Sequence, residues 1–215
     1  MCDDCKATLD ICTYAYCLCD KGAIRIPPGK NNGKCTRCQD KALSGLYFAL
    51  PYKEKSLTRT LIYHFKYEPY VKNLAKSLAN ILLEHFVLSG VNTDMVWEKS
   101  VLTYVPSQIS ALKARGYNQS QELANELSNA INIPVVSHNL VKIKKTLPQM
   151  KLTAKERQEN IKNAFAIKNP GEFAGKKVFL VDDVYTTGST MAECAKTIKA
   201  AGAKQVWGIA IARES

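Results

Sequence analysis

Between Val178 and Thr190 the chain reads Val-Phe-Leu-Val-Asp-Asp-Val-Tyr-Thr-Thr-Gly-Ser-Thr, an order few folds accommodate. Four apolar residues without polar interruption suit a strand buried on both faces, the habit of a parallel α/β sheet. Asp182 and Asp183 then mark the strand's end. The turn Thr186-Thr187-Gly188-Ser189-Thr190 supplies hydroxyls and consecutive backbone N–H groups to a helix expected from near Met191. Such a helix start favours an anion through unpaired N–H groups and the helix dipole. Gly188 permits a positive φ and a close backbone approach to a ligand. The two carboxylates can accept hydrogen bonds from sugar hydroxyls or hold Mg2+ through water. The run therefore predicts a ribose-phosphate cradle. A Walker B strand also ends in acids, but its partner motif G-x-x-x-x-G-K-[ST] is absent from the sequence, which removes a P-loop ATPase.

The rest of the chain alternates in the same style. Leu46 to Tyr52 reads as a strand; Leu57, Leu61, Ile62 and Phe65 mark one helix and Leu74, Leu78, Ile81, Leu82 and Phe86 a second. Val101 to Val105 is a short strand, and the helix after Gln119 carries Leu123, Leu127 and Ile131 on one face. Strands are expected at Pro134–Val136 and Leu140–Ile143, a helix at Ala154–Ile161, and an apolar triplet near Phe165. A helix from Met191 to Ala201, stopped by Gly202, and a strand from Val206 to Ile211 complete an α/β order. That order implies a mostly parallel sheet flanked by helices, with ligands beyond the carboxyl ends of its strands.

Residues 1–45 differ in kind. They hold seven of the eight cysteines, few apolar residues and the Pro27-Pro28-Gly29-Lys30-Asn31-Asn32-Gly33 loop, so they cannot build a core of their own. Cys2-x-x-Cys5 and Cys35-x-x-Cys38 are knuckle spacings that bring two thiolates onto one tetrahedral Zn2+. Cys17-x-Cys19 is a less usual spacing that can contribute a further pair, with Cys12 five residues upstream. Which four of Cys2, Cys5, Cys17, Cys19, Cys35 and Cys38 bind metal stays open at this level. A secreted disulfide framework would require a signal peptide, and Met-Cys-Asp-Asp-Cys begins none. No apolar stretch reaches the roughly 18 residues that span a bilayer, so a cytoplasmic protein is expected. The chain divides into a zinc-binding module at 1–45 and a main domain at 46–215. Cys194 shares a helical face with Met191 and Ile198 and reads as core.

The formal net charge of +11 is unevenly spread: Lys142 to Lys177 holds ten Lys/Arg against three Glu. Such a run is either a solvated face or a phosphate-attracting surface near the anionic site. His64, His85 and His138 have no partner spacing and read as helix-face or loop residues.

At the Asp-Asp turn the chain resembles type I phosphoribosyltransferases, whose turn binds the 5'-phosphate of phosphoribosyl pyrophosphate (PRPP). Three further segments narrow the resemblance: Val105-Pro106-Ser107 with Arg115-Gly116-Tyr117-Asn118-Gln119; Gln149-Met150-Lys151-Leu152-Thr153 with Glu156-Arg157-Gln158-Glu159-Asn160 and Phe165; and the cysteine-rich start joined to Phe65-Lys66-Tyr67. Together they resemble the ComF family over nearly the whole chain. That resemblance implies a zinc-bound N-terminus on a phosphoribosyltransferase-like domain, PRPP binding with Mg2+, and action with single-stranded DNA and other competence proteins in DNA uptake. It implies catalytic carboxylates at Asp182 and Asp183, where the ribose develops oxocarbenium character. PRPP contacts are implied at Asp182, Asp183, Thr186, Thr187, Gly188, Ser189, Thr190, Arg115 and Arg157, with Arg157, Lys151 and Lys155 on a flap. The alternative is a nucleobase phosphoribosyltransferase of salvage. Against it, the chain runs only four residues past Ile211, and no base-binding pattern is recognisable before residue 100.

Overall fold

The computed structural model describes residues 3–19, 22–26, 33–90, 99–147 and 152–214, without the side chains of residues 3, 5 and 154. Helix α1 (Asp3–Ala7), strands β1 (Ala15–Tyr16) and β2 (Arg25–Ile26), and a 3-10 turn at Thr36–Cys38 come first. Strand β3 (Gly45–Pro51), helix α2 (Leu57–Lys66), helix α3 (Leu74–Leu88) and strand β4 (Ser100–Tyr104) follow. Helices α4 (Ile109–Arg115) and α5 (Gln119–Ile131), strand β5 (Leu140–Lys142), helix α6 (Ala154–Ile161) and strand β6 (Phe165–Ile167) precede the closing unit. That unit is β7 (Lys177–Tyr185), α7 (Ser189–Ala200) and β8 (Gln205–Arg213).

The main sheet has the order β2-β1-β3-β8-β7-β4. Its three inner pairings β3·β8, β8·β7 and β7·β4 are parallel, and the β1–β2 hairpin joins antiparallel through Tyr16↔Leu46. The period of two explains why both faces are buried. Phe179 and Val181 of β7, with Ile209 and Ile211 of β8, join one apolar cluster with Leu78, Leu82, Leu123 and Leu127 of α3 and α5. Val178 and Leu180, with Val206 and Ala210, join a second with Met191, Cys194, Ala195 and Ile198 of α7. A helix on either face leaves little polar choice along these strands. Cys194 is fully buried, as expected of a core residue.

Most elements shift by one or two residues at their ends, and two differences from the sequence reading are larger. β7 does not stop at the paired acids but continues to Tyr185, because Asp182, Val184 and Tyr185 keep pairing with Ala210, Ala212 and Arg213 of β8. The strand expected at Pro134–Val136 reduces to a single bridge, Leu102↔Val135, held by Leu102 N–H to Pro134 C=O at 2.9 Å and Val136 N–H to Leu102 C=O at 2.8 Å. Pro134 has no N–H to extend that ladder.

β5 and β6 form a separate antiparallel pair, Lys142 opposite Phe165, which sets that edge beside the carboxyl end of β7. Thr153 caps α6 reciprocally with Glu156, its side chain accepting from Glu156 N–H while Glu156 accepts from Thr153 N–H. Among the described residues no helix is long and apolar enough to cross a membrane.

Candidate functional site

At the carboxyl ends of β4 and β7 lies a cavity of about 680 Å³. Asp182, Asp183, Thr186, Gly188, Ser189 and Thr190 line it, as do Arg115 and Arg157. The structure thus brings together residues that lie far apart in sequence. Thr187 is tied to the same turn: its hydroxyl lies 2.8 Å from that of Ser189. Gly188 adopts φ +71°, and a Cβ there would stand 2.2 Å from the Tyr185 ring. Glycine is therefore required twice over, by the left-handed backbone and by the aromatic side chain beneath it. Gly188 also caps α7, whose first turn opens onto the cavity.

Two adjacent carboxylates in so enclosed a place need compensation. Asp183 is 5% exposed and pairs with Lys66 of α2 at 2.8 Å, while its Oδ1 also accepts Val184 N–H at 2.7 Å. Asp182 accepts the Ser120 hydroxyl of α5 and the Asp183 N–H on its Oδ1, both at 2.9 Å. Burial, and then the Asp183 charge, push Asp182 up to about 7 from 3.8, with Lys66 acting the other way. Burial opposes the charge on Lys66, but Asp183 and Asp182 outweigh it and raise its pKa. Sequence reasoning assigned no role to Lys66 or Ser120. Each lies on a helix of its own, apart from the strand that carries the acids it serves, and the Lys66–Asp183 pair spans 117 positions.

The remaining cations have distinct supports. Arg115 Nε donates to Lys66 C=O at 2.8 Å, so the guanidinium is held at the end of α2. Arg157 Nε donates to Leu152 C=O at 3.0 Å, and Nη1 to the Thr186 hydroxyl at 3.5 Å. Lys142 lines the cavity too, its ammonium 6.0 Å from the Phe165 ring centre, and burial lowers its pKa. Among the described residues it has no ion pair. Five cations, Arg59, Lys66, Arg115, Lys142 and Arg157, thus face three carboxylates, those of Asp182, Asp183 and Glu214. The balance suits a multiply charged anion.

The far wall was not foreseen. Tyr52, Arg59, Ile62, Tyr63 and Tyr67 line it, all before residue 100. Arg59, Tyr63 and Tyr67 recur every four residues along and just past α2 and so share one face. Tyr63 and Tyr67 are 53% and 38% exposed, with ring centres 5.1 Å apart. The spacing was visible in the sequence, but the signal passed as an ordinary amphipathic helix. Lys151, with Gln149 and Met150, lies outside the described residues; Lys155 is exposed on α6.

A second centre lies in the cysteine-rich segment. The Sγ atoms of Cys17, Cys19, Cys35 and Cys38 all lie within 4.8 Å of one another, with Cys19–Cys35 at 3.5 Å and Cys35–Cys38 at 3.8 Å. A tetrahedral ion with bonds of about 2.3 Å to sulfur sets its ligands about 3.8 Å apart, so this cluster could bind a metal such as zinc. Ile24 N–H points to Cys17 Sγ and Cys35 N–H to Cys38 Sγ, both at 3.2 Å, as donors that favour thiolates. The irregular Cys17-x-Cys19 pair, following β1, is what the Cys35-x-x-Cys38 knuckle meets. Cys2 lies outside the described residues, as does the Cys5 side chain; Cys12 is not in the cluster.

Comparison with known proteins agrees with this geometry. Residues 76–213 match a family model described as the phosphoribosyl transferase domain. Over 45% of its length the chain is 44% identical to competence protein F of Haemophilus influenzae, covering 43% of that protein. It is 27% identical to DNA utilization protein YhgH of Salmonella typhi, over 96% of this chain and 95% of that protein. With its counterpart in Salmonella typhimurium it shares 33% identity over 62% of this chain and 59% of that protein. The matches thus span less than two thirds of the length of two of these three relatives.

The raised Asp182 group makes a prediction for the ligand-free protein. Between the ordinary 3.8 and about 7, the folded state holds a proton that the unfolded chain has released. Stability from this group therefore falls as pH rises through that window. Asp182→Asn removes the titration but keeps an acceptor for Ser120. Its Tm should gain on the parent's by a few degrees between about pH 4.5 and 7.5, since about 1 kcal/mol moves the Tm of a domain this size by about 2–4 °C. Parallel melting profiles across that range would contradict the assignment.

Proposed function

The chain belongs to the phosphoribosyl transferase domain family and is homologous to competence protein F and DNA utilization protein YhgH; from that premise we propose that its cavity binds PRPP or a related ribose phosphate. The observation that supports this most is the meeting of the Gly188 turn, the Asp182–Asp183 pair and the cations Arg115, Lys142 and Arg157 around one space. In this reading the 5'-phosphate lies on the Gly188–Thr190 turn, at the start of α7. Pyrophosphate faces Arg115 and Arg157. Among the described residues the Oδ2 atoms of Asp182 and Asp183 carry no hydrogen bond, which leaves them for ribose hydroxyls or hydrated Mg2+. The same carboxylates would face positive charge developing at C1 of the ribose.

The four-cysteine cluster holds Zn2+ in this proposal and organises a module at 1–45, beside a phosphoribosyltransferase-like domain at 46–215. The names of the relatives, competence protein F and DNA utilization protein, support a role in DNA uptake with single-stranded DNA as partner. Lys144 and Lys145 favour it: both are exposed, directly beyond Lys142 at the cavity. The aromatic wall favours a second reading, a nucleobase phosphoribosyltransferase, because Tyr52, Tyr63 and Tyr67 offer a planar base the faces on which to stack. Incubating PRPP and Mg2+ with a panel of bases separates the two. Pyrophosphate release with one base at an enzyme-like rate, on the order of 1 per second, selects the salvage enzyme.

Gly188→Val tests the phosphate contact. An L side chain costs about 1–2 kcal/mol for the left-handed backbone alone, before its collision with Tyr185. Ribose 5-phosphate binding by calorimetry should fall at least about tenfold while far-ultraviolet circular dichroism stays that of the parent. Unchanged affinity would place the phosphate elsewhere.

Single-stranded DNA binding should be salt-sensitive and nearly indifferent to sequence, because backbone phosphates supply the contact. Lys144→Glu with Lys145→Glu should weaken it and lower the slope of log affinity against log salt by roughly 1 to 1.5. A parent that ignores DNA at low salt, or a double variant with an unchanged slope, would leave Lys144 and Lys145 as a solvated face.

A further inference from the structure

Arg213, the last residue of β8, is 4% exposed. Among the described residues no carboxylate pairs with it. Its Nη1 donates to the Cys17 carbonyl at 2.8 Å and its Nη2 to the Cys19 carbonyl. The guanidinium also lies 5.5 Å from the ring centres of Phe48 and Tyr185. Carbonyls and aromatic faces orient a buried cation but leave its charge uncompensated, which is costly. Four thiolates around one divalent ion carry a net charge of −2, and two of those four ligand residues are the ones whose carbonyls Arg213 holds.

From Arg213 two short paths lead to the cavity. Its carbonyl accepts Tyr52 N–H at 2.7 Å, and Tyr52 lines the cavity. Its cross-strand partner on β7 is Tyr185, whose ring fills the space a Cβ on Gly188 would take. Glu214 N–H donates to Tyr185 C=O at 2.9 Å and keeps that end of β7 closed against β8. Arg213 therefore touches both the cysteine cluster's backbone and the aromatic ring under the Gly188 turn.

We infer that Arg213 is a positioning residue that couples metal occupancy of the four-cysteine cluster to the phosphate-binding turn. The charge of the loaded cluster keeps the guanidinium against Cys17 and Cys19, and the guanidinium keeps Tyr185 against Gly188. This rests on the proposed zinc and ribose-phosphate sites. A coupling of this kind is reciprocal: whatever factor metal adds to ribose-phosphate affinity, ribose phosphate adds to metal affinity.

Co2+ is the probe, since its thiolate charge-transfer absorption reports both ligand geometry and occupancy. In the parent, ribose 5-phosphate should tighten Co2+ binding, and Co2+ should tighten ribose 5-phosphate binding, each by at least about fivefold. Arg213→Met should keep the tetrathiolate spectrum, bind Co2+ more weakly and lose the reciprocal effect; Arg213→Lys should regain part of the Co2+ affinity. Tyr185→Leu, which leaves Arg213 in place, should keep the parent's Co2+ affinity and lose only the reciprocity, so the inference survives poor folding of an Arg213 variant. Ribose 5-phosphate binding that is independent of metal overturns the coupling alone. Failure of the metal-loaded parent to bind ribose 5-phosphate overturns the cavity reading and the coupling with it.

Discussion

The ion pair between Lys66 and Asp183 is the contact on which the site depends. Asp182 and Asp183 sit within β7, Asp182 still paired to Ala210 of β8 and Asp183 buried, so solvent cannot screen them fully. A carboxylate in that position needs a cation or hydrogen-bond donors brought to it. Lys66 meets Asp183 from the end of α2 and Ser120 meets Asp182 from the start of α5. Because these partners come from separate helices, satisfying the acids also fixes where those helices end. Lys66 C=O then receives Arg115, and Phe65 C=O receives the Tyr117 hydroxyl at 2.8 Å, so one helix end gathers the Arg115–Asn118 segment as well. The cavity is the space enclosed when these demands are met together.

What the sequence made legible was local and periodic. The apolar run of β7, the hydroxyl-rich turn and the two-faced sheet core all follow from neighbours within a few positions. The turn was legible because glycine takes a positive φ without strain, and hydroxyl residues beside it mark a helix start that favours an anion. What stayed hidden depends on residues that meet only after folding. The Lys66 partner of Asp183 lies 117 positions away, and Tyr63 with Tyr67 face a cavity whose existence the helix alone does not signal. The continuation of β7 to Tyr185 was hidden too, since it is β8 that extends the pairing. In the cysteine segment the knuckle at Cys35 and Cys38 was legible, but its partner pair carries a spacing that only the fold around β1 makes suitable.

Charge divides along the same line. The basic stretch from Lys142 to Lys177 is one block in sequence and at least two surfaces in space. Lys142 and Arg157 turn to the cavity, where Lys142 stands beside Phe165. Lys144 and Lys145 are exposed, two and three residues further on, because side chains beyond a strand's end are free of the sheet's alternation. Lys177, at the far end, rests its ammonium over the rings of Phe179 and Trp207, at 5.1 and 5.5 Å, away from any anionic guest. A net charge counted along the chain is therefore a poor measure of the potential at any one point, and the cavity's own five cations are the better guide to what it attracts.

The cysteine-rich segment is not an ornament on the sheet. Its hairpin covers the edge that β3 would otherwise present, through Tyr16↔Leu46, and an uncovered edge invites pairing with another chain. Cys17, Leu18, Cys19 and Cys38 lie in the same apolar cluster as Leu180 and Ala195, on the face of the sheet that α7 covers. Leu18 is fully buried there, so the segment contributes side chains to a core it is too polar to form by itself. Loss of the cluster's geometry would then be felt at α7 as well as at the edge strand. Since Gly188 caps α7, the helix that closes this face of the sheet also carries the turn that faces the cavity.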